Sequence, residues 1–175
     1  MIDVLVAGLR ANSCAVTGPV GVDEARAAIV EHVAPGALVA CNDDVPIPDL
    51  TDALRDRGAE LLPPDDPAWF ARLPDAAFGI TGSRLAVADP AAIALAAAPG
   101  SPRGTSLLPP SHLCIVRVDD VMATLEDAMT MIAARELPSA LTWIGGPSRT
   151  GDLEMVTTLG VHGPRAVEVI LLDGL

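Results

Sequence analysis

The sequence predicts a single α/β domain with a mostly parallel sheet, helices on both faces and a small antiparallel excursion. Three observations predict it. Short apolar runs alternate with helical patterns through the first half, apolar runs of strand length recur to the end, and no repeat or Gly/Ser linker divides residues 1–175. Half of the residues are hydrophobic, enough for one well-filled core. With two Phe, two Trp and no Tyr, that core is aliphatic.

The first helix opens at Gly21-Val22-Asp23-Glu24, with acids in its first turn where the macrodipole favours them. Val22, Ala25, Ile29 and Val33 recur at helical spacing, and Pro35-Gly36 ends the pattern. Ala37–Cys41 reads as a buried strand. Leu50, Ala53 and Leu54 mark a short helix ended by Gly58, and Ala59–Leu62 is a second strand. A proline-rich turn leads to a brief helix around Trp69 and Phe70. Ala76–Thr81 is the third strand. Arg84–Ala88 and Ala92–Ala96 form the antiparallel excursion, joined through Asp89-Pro90. Leu113–Val118 is a strand, and Asp119 or Asp120 is expected to cap a helix with Val121, Leu125, Met129 and Ile132 on one face. Ala140–Ile144 and Ala166–Leu172 are the last strands. Those near Leu38, Leu61, Ala77, Ile115, Leu141 and Val169 are expected in one sheet.

Composition excludes several chemistries. The net charge is −12 and every basic residue is Arg, so neither a Schiff-base lysine nor a P-loop lysine exists here. An acidic surface without a basic stripe or interleaved aromatics argues against nucleic-acid binding. Cys14, Cys41 and Cys114 are scattered, with no CxxC pair, which argues against disulfides, zinc or a self-held iron–sulfur cluster. No cofactor is expected: neither iron, zinc nor flavin. No stretch reads as a signal peptide or membrane span, so a cytoplasmic protein is expected.

Two loops carry the candidate chemistry. In Gly145-Gly146-Pro147-Ser148-Arg149-Thr150-Gly151-Asp152-Leu153-Glu154, glycines after a strand leave backbone amides open. Ser148 or Thr150 can cap a short helix suggested by Leu153, Met155 and Val156, placing an anion site at its start. Arg149 adds a fork of donors for a phosphate or carboxylate. Asp152 and Glu154 suit acid/base work or a partner's arginine. The alternative is an ordinary glycine turn with a cap and first-turn acids. The second loop, Gly160-Val161-His162-Gly163-Pro164-Arg165, offers His162 for proton transfer or, equally simply, for fixing the turn through a ring N–H. His112 at a strand entrance and His32 at a helix end read as structural. The acid pairs Asp43-Asp44, Asp65-Asp66 and Asp119-Asp120 read as solvated turns and caps. If the two loops form one functional edge, Ser148, Arg149, Thr150, Asp152 and His162 converge at the carboxyl ends of neighbouring strands, around a pocket lined by His162 and the Gly146 loop.

Three segments together resemble the lactate-utilisation protein C family, built on the LUD domain. They are Phe78-Gly79-Ile80-Thr81 with Ala86-Val87-Ala88; Ser106-Leu107-Leu108-Pro109 with His112; and Gly146-Pro147-Ser148-Arg149-Thr150-x-Asp152-Leu153-Glu154 with Gly160-Val161-His162-Gly163-Pro164. The match is good over residues 76–172 and rests only on the β/α pattern before that. Two departures stand out: Ala88-Asp89-Pro90-Ala91 replaces the family's Ala-Glu-Thr-Gly, and the helical N-terminus is shorter. The resemblance implies a fold akin to the sugar-phosphate isomerase and CoA-transferase group. It implies a role in oxidising L-lactate to pyruvate beside iron–sulfur partner proteins. The ligand-contact candidates are Thr81, Gly146, Pro147, Ser148, Arg149, Thr150, Gly163 and Pro164, and the catalytic candidates are Asp152, Glu154 and His162. Three readings stay open: an accessory subunit of that system, a stand-alone enzyme or binder of a small phosphate-, CoA- or carboxylate-bearing ligand at the Gly146 loop, and a diverged paralogue without lactate function.

Overall fold

The computed structural model describes residues 1–134, 137–151, 157–159 and 162–174, with backbone only for 149–151 and 157–159. Helix α1 (Ile2–Ala11) and strand β1 (Ala15–Val20) open the chain. They are followed by α2 (Val22–His32), β2 (Leu38–Cys41), α3 (Leu50–Asp56), β3 (Glu60–Leu62) and the single-turn α4 (Trp69–Arg72). Next come β4 (Phe78–Thr81), β5 (Leu85–Asp89), β6 (Ala92–Ala97), β7 (Ser111–Arg117) and β8 (Val121–Thr124). The later elements are α5 (Leu125–Ala133), β9 (Ala140–Ile144), β10 (Arg149–Gly151), β11 (Thr157–Leu159) and β12 (Ala166–Leu172).

Six strands form a wholly parallel sheet in the order β1-β12-β7-β4-β2-β3. Side chains alternate across it. Leu113, Ile115, Ile170 and Leu172 face α2 and α3, which bury Ala25, Ile29, Leu50 and Leu54 against them. Cys114, Val116, Val169 and Leu171 face the other way, toward Leu5 and Leu9 of α1. Helices therefore cover both faces, as the sequence predicts, but α1 shares its face with a second sheet of order β8-β5-β6-β9. The far side of that sheet buries Leu85, Val87 and Ala94 against Ala128 and Ile132 of α5.

The antiparallel excursion expected around Asp89-Pro90 is the β5–β6 pair, Leu85 opposite Ala94. It is the heart of the second sheet. The strand at Leu141 belongs there too, not to the parallel sheet: β9 runs antiparallel to β6, from Ile93 opposite Ile144 to Ala97 opposite Ala140. As an edge strand it stays half-buried along its length. Ala77 stands one residue before β4 and donates its N–H to Leu38 O at 2.8 Å.

The helix after β7 also begins later than expected. Asp119 and Asp120 lie in a 3₁₀ turn and Val121 begins β8, so neither acid is a helix cap. The cap is Thr124, whose Oγ1 accepts the Asp127 N–H at 3.2 Å. Starting at Leu125 rotates the buried stripe onto Ala128 and Ile132, leaving Leu125 and Met129 exposed. Arg135 lies outside the described residues.

Candidate functional site

The Gly79-Ile80-Thr81 segment is β4, and its register explains its composition. Gly79 lies opposite His112 and Thr81 opposite Cys114 on β7. A Cβ at Gly79 would stand 1.8 Å from the Thr105 carbonyl oxygen, so only glycine lets the turn Arg103–Ser106 lie against the strand. That contact delivers Thr105, whose hydroxyl donates to Asn42 Oδ1 at 2.6 Å. Asn42 follows β2 and donates its own N–H to Ile80 O at 3.0 Å, closing the carboxyl ends of β2 and β4 together.

A buried polar cluster results. Cys114 S–H donates to Gly82 O at 3.8 Å, and the Thr81 hydroxyl donates to Cys114 Sγ at 3.7 Å. The Thr81 oxygen is then left to accept from His112 Nε2 at 2.9 Å. This donor chain assigns the ring proton to Nε2 and leaves Nδ1 a buried lone pair with no partner among the described residues. Burial pushes the His112 pKa down to about 4, so the ring is neutral at neutral pH.

Asp44 stands at the rim of this cluster. The residue as a whole is exposed, yet its carboxylate accepts the Gly82 N–H at 3.0 Å. Partial burial raises its pKa above the usual carboxylate value, against the opposing pull of the Gly82 N–H and the Ser101 hydroxyl. Asn42, Asp44, Thr81, Ser101 and Ser106 line a cavity of about 10 Å³, room for roughly one water-sized molecule. Asn42 and Thr81 thus stand at the carboxyl ends of β2 and β4, beside an Asp44 carboxyl that holds its proton more tightly, and the neutral imidazole of His112 reaches Thr81 from the amino end of β7. Such groups can pass a proton through a water held in the small cavity.

Burial also silences two thiols. Cys41 and Cys114 are each pushed up to about 12, chiefly by desolvation, with Asp44 raising both further. At pH 8, iodoacetamide is expected to alkylate them on the order of 10³ times more slowly than a free cysteine, since only the thiolate attacks. Mass spectrometry of the native protein checks this; stoichiometric labelling within minutes would contradict it.

The expected loop residues form a second group. Ser148 N–H donates to Pro164 O at 3.1 Å, and a Cβ at Gly163 would stand 3.1 Å from Ser148 Cβ. Pro147 and Pro164 are buried, and a Cβ at Gly146 would stand 2.4 Å from the Asn12 carbonyl oxygen. The two loops therefore meet. They do not meet at the carboxyl ends of parallel strands: β9 belongs to the other sheet, and the second loop precedes β12, with Arg165 and Ala166 donating to Pro110 O just ahead of β7. Arg149 and Thr150 lie in β10, paired antiparallel with β11, so Thr150 is a strand residue rather than a helix cap. Extended backbone directly after Ser148 removes the cap role from that residue as well. His162 is exposed, and none of the three cavities described here is lined by His162 or Gly146. Asp152 and Glu154, with the helix expected at Leu153, Met155 and Val156, lie outside the described residues, as do Gly160 and Val161.

Of the expected ligand residues, Thr81 joins the buried cluster. Asn42, Asp44 and Thr105 were not anticipated, and His112 enters it as more than a strand-entrance hydrogen bond. The acid pair Asp43-Asp44 is not simply a solvated turn. Asp89, standing where the family has glutamate, lies at the exposed end of β5.

Comparison with known proteins places the chain in a family and matches its fold. The chain is 35% identical over 117 residues to a lactate utilization protein C of Deinococcus radiodurans, covering 66% of this chain and 55% of that one. It is 31% identical over 100 residues to the lactate utilization protein C of Bacillus velezensis, covering 54% and 42%. The chain thus spans about half the length of these curated relatives. The crystal structure of a DUF162 family protein from Deinococcus radiodurans superimposes with a TM-score of 0.74 at 24% identity, covering 98% of this chain and 95% of that one, which shows a shared fold. The family model described as the LUD domain matches residues 2–172, taking in α1 and β1 as well as the motif-bearing strands. By that match this chain belongs to the LUD-domain family.

Proposed function

We propose that the chain serves L-lactate utilisation, as an accessory component of a system that oxidises L-lactate to pyruvate beside iron–sulfur partner proteins. The observation that carries this reading is its similarity to proteins named lactate utilization protein C. The oxidation removes two electrons and two protons from lactate. Cys14, Cys41 and Cys114 are each buried and sit on separate strands or strand ends, a donor set unsuited to a cluster, so the electron carriers belong to the partners. The protons are the part of the chemistry that Asp44, Thr81 and His112 can handle.

The test is complementation. A bacterium lacking its own lactate utilization protein C and carrying this gene is expected to regain growth on L-lactate as sole carbon source. Failure of the well-expressed protein to restore growth would sink the reading. A second reading places a small carboxylate or phosphate at the joined loops, favoured by the close approach of Gly163 to Ser148, which brings the second loop beside the residue preceding Arg149. In that case Arg149→Ala loses the lactate phenotype; unimpaired growth of that variant makes the loops scaffolding.

A further inference from the structure

The largest of the described cavities adjoins the buried cluster but is lined by none of Asp44, Thr81 and His112. It is a groove of about 1090 Å³ between α4 and the turn Arg103–Ser106 on one side and β6 with residues 137–139, just before β9, on the other. Trp69, Phe70, Leu107 and Leu108 supply its apolar wall. The whole chain has two Trp and two Phe, and one of each stands here, Phe70 at 78% exposure. Gly104 makes the wall possible, because a Cβ there would stand 2.7 Å from the Trp69 ring.

Arg84 and Arg103 line the same groove. Among the described residues neither guanidinium has an ion pair or hydrogen bond, whereas Arg26, Arg55, Arg72 and Arg117 all pair with carboxylates. Arg10, Arg57 and Arg165 also lack a carboxylate among the described residues, but none of them lines a described cavity. In a chain with 23 acidic and 11 basic residues, two such arginines beside an apolar wall mark a place for an anion from outside.

We propose that this groove binds an amphipathic anion, a carboxylate or phosphate head carried on an apolar body, with Arg84 and Arg103 gripping the head and the Trp69–Phe70–Leu107–Leu108 wall taking the body. Its volume is of the order of small-molecule sites, roughly 300–1,000 Å³. Lactate has no apolar body to fill it, so this site is separate from the proposed lactate function and does not depend on it. A second copy of the chain is a poor occupant, since each carries a net charge of −12. Arg103 also lines the small cavity beside Asp44 and Thr81, so a head held there lies against the buried polar cluster.

Decanoate, decanol and decyltrimethylammonium serve as probes, titrated into the 175-residue chain by calorimetry and by tryptophan fluorescence. Decanoate is expected to bind at least tenfold more tightly than decanol, and the cation not at all. Arg84→Gln/Arg103→Gln is expected to bring decanoate down to the level of decanol and leave decanol unchanged. Trp69→Phe is expected to remove the fluorescence change while retaining calorimetric binding. Equal affinity for decanoate and decanol, a preference that survives the double variant, absence of binding, or a dimer that hides the groove at working concentration would each overturn the proposal. Sodium octyl phosphate against decanoate then separates a phosphate head from a carboxylate.

Discussion

Gly79→Ala is expected to destabilise the protein by about 3 kcal/mol, the upper end for overpacking a well-filled interior. The added methyl would stand 1.8 Å from the Thr105 oxygen and 2.9 Å from its carbonyl carbon. Both are backbone atoms, so no rotamer change relieves the clash; the turn Arg103–Ser106 must move as a unit. Moving it withdraws Thr105 from Asn42 and leaves two buried polar groups unpaired. For a chain of this size the loss corresponds to a fall of roughly 6–12 °C in Tm. Gly145→Ala is the comparison, because a Cβ there meets nothing closer than 3.7 Å. Thermal unfolding followed by circular dichroism checks both. Equal melting temperatures for the two variants would mean that the turn is not seated as described.

His112 is expected to set the acid limb of stability. In the folded protein the ring takes a proton only near pH 4, while in the unfolded chain it does so near 6.5. As pH falls the unfolded state therefore binds the proton first. The contribution is fully present above pH 6.5, is lost as pH falls from 6.5 toward 4, and levels off below that. The interval corresponds to about 3 kcal/mol. Asp44 acts in the opposite sense, since its raised carboxyl pKa lowers stability as pH rises above 3.8. His112→Gln separates the two. The variant keeps a donor for Thr81 but does not titrate, so urea unfolding at pH 7 and pH 4.5 is expected to show a much smaller loss than in the wild type. Parallel pH dependence in the two proteins would refute a neutral, buried His112.

The parts of the fold legible in the sequence are those where local pattern and tertiary packing agree. Ala25, Ile29 and Val33 recur at helical spacing and are fully buried. Apolar β7 reads as a strand because it is buried on both faces. Helix α1 was not read, since it starts at Ile2 with no side-chain cap and no preceding signal. Gly18 and Pro19 hid β1, because both residues ordinarily punctuate a strand; here it lies on the edge of the sheet, where a missing N–H is tolerated. The Thr124-x-x-Asp127 pattern could have placed the start of α5, but the more acidic Asp119-Asp120 pair drew the cap earlier.

The buried cluster was legible only in part. Thr81 sits in a recognisable motif. Asp44 sits in what reads as a turn, and what changes its chemistry is burial in the folded chain, opposed by an amide 38 residues away. No local pattern reports such a neighbour. His112 raises the converse difficulty: a lone histidine at a strand entrance has many structural explanations, and its lack of a partner at Nδ1 among the described residues is a property of the packed interior alone.

The order of strands also has a consequence for synthesis. β1, near the start of the chain, has β12 as its neighbour, with Ala15 opposite Glu168, and β12 in turn separates it from β7. A nascent chain emerging from the ribosome can dock β2, β3, β4 and β7 as soon as each is made, but β1 has no place until the last strand is out. Until then Ile115 and its neighbours present an unpaired apolar edge, the kind of surface that chaperones hold and that aggregates when they do not. A chain cut short before Ala166 loses the strand that joins β1 to the rest of the parallel sheet.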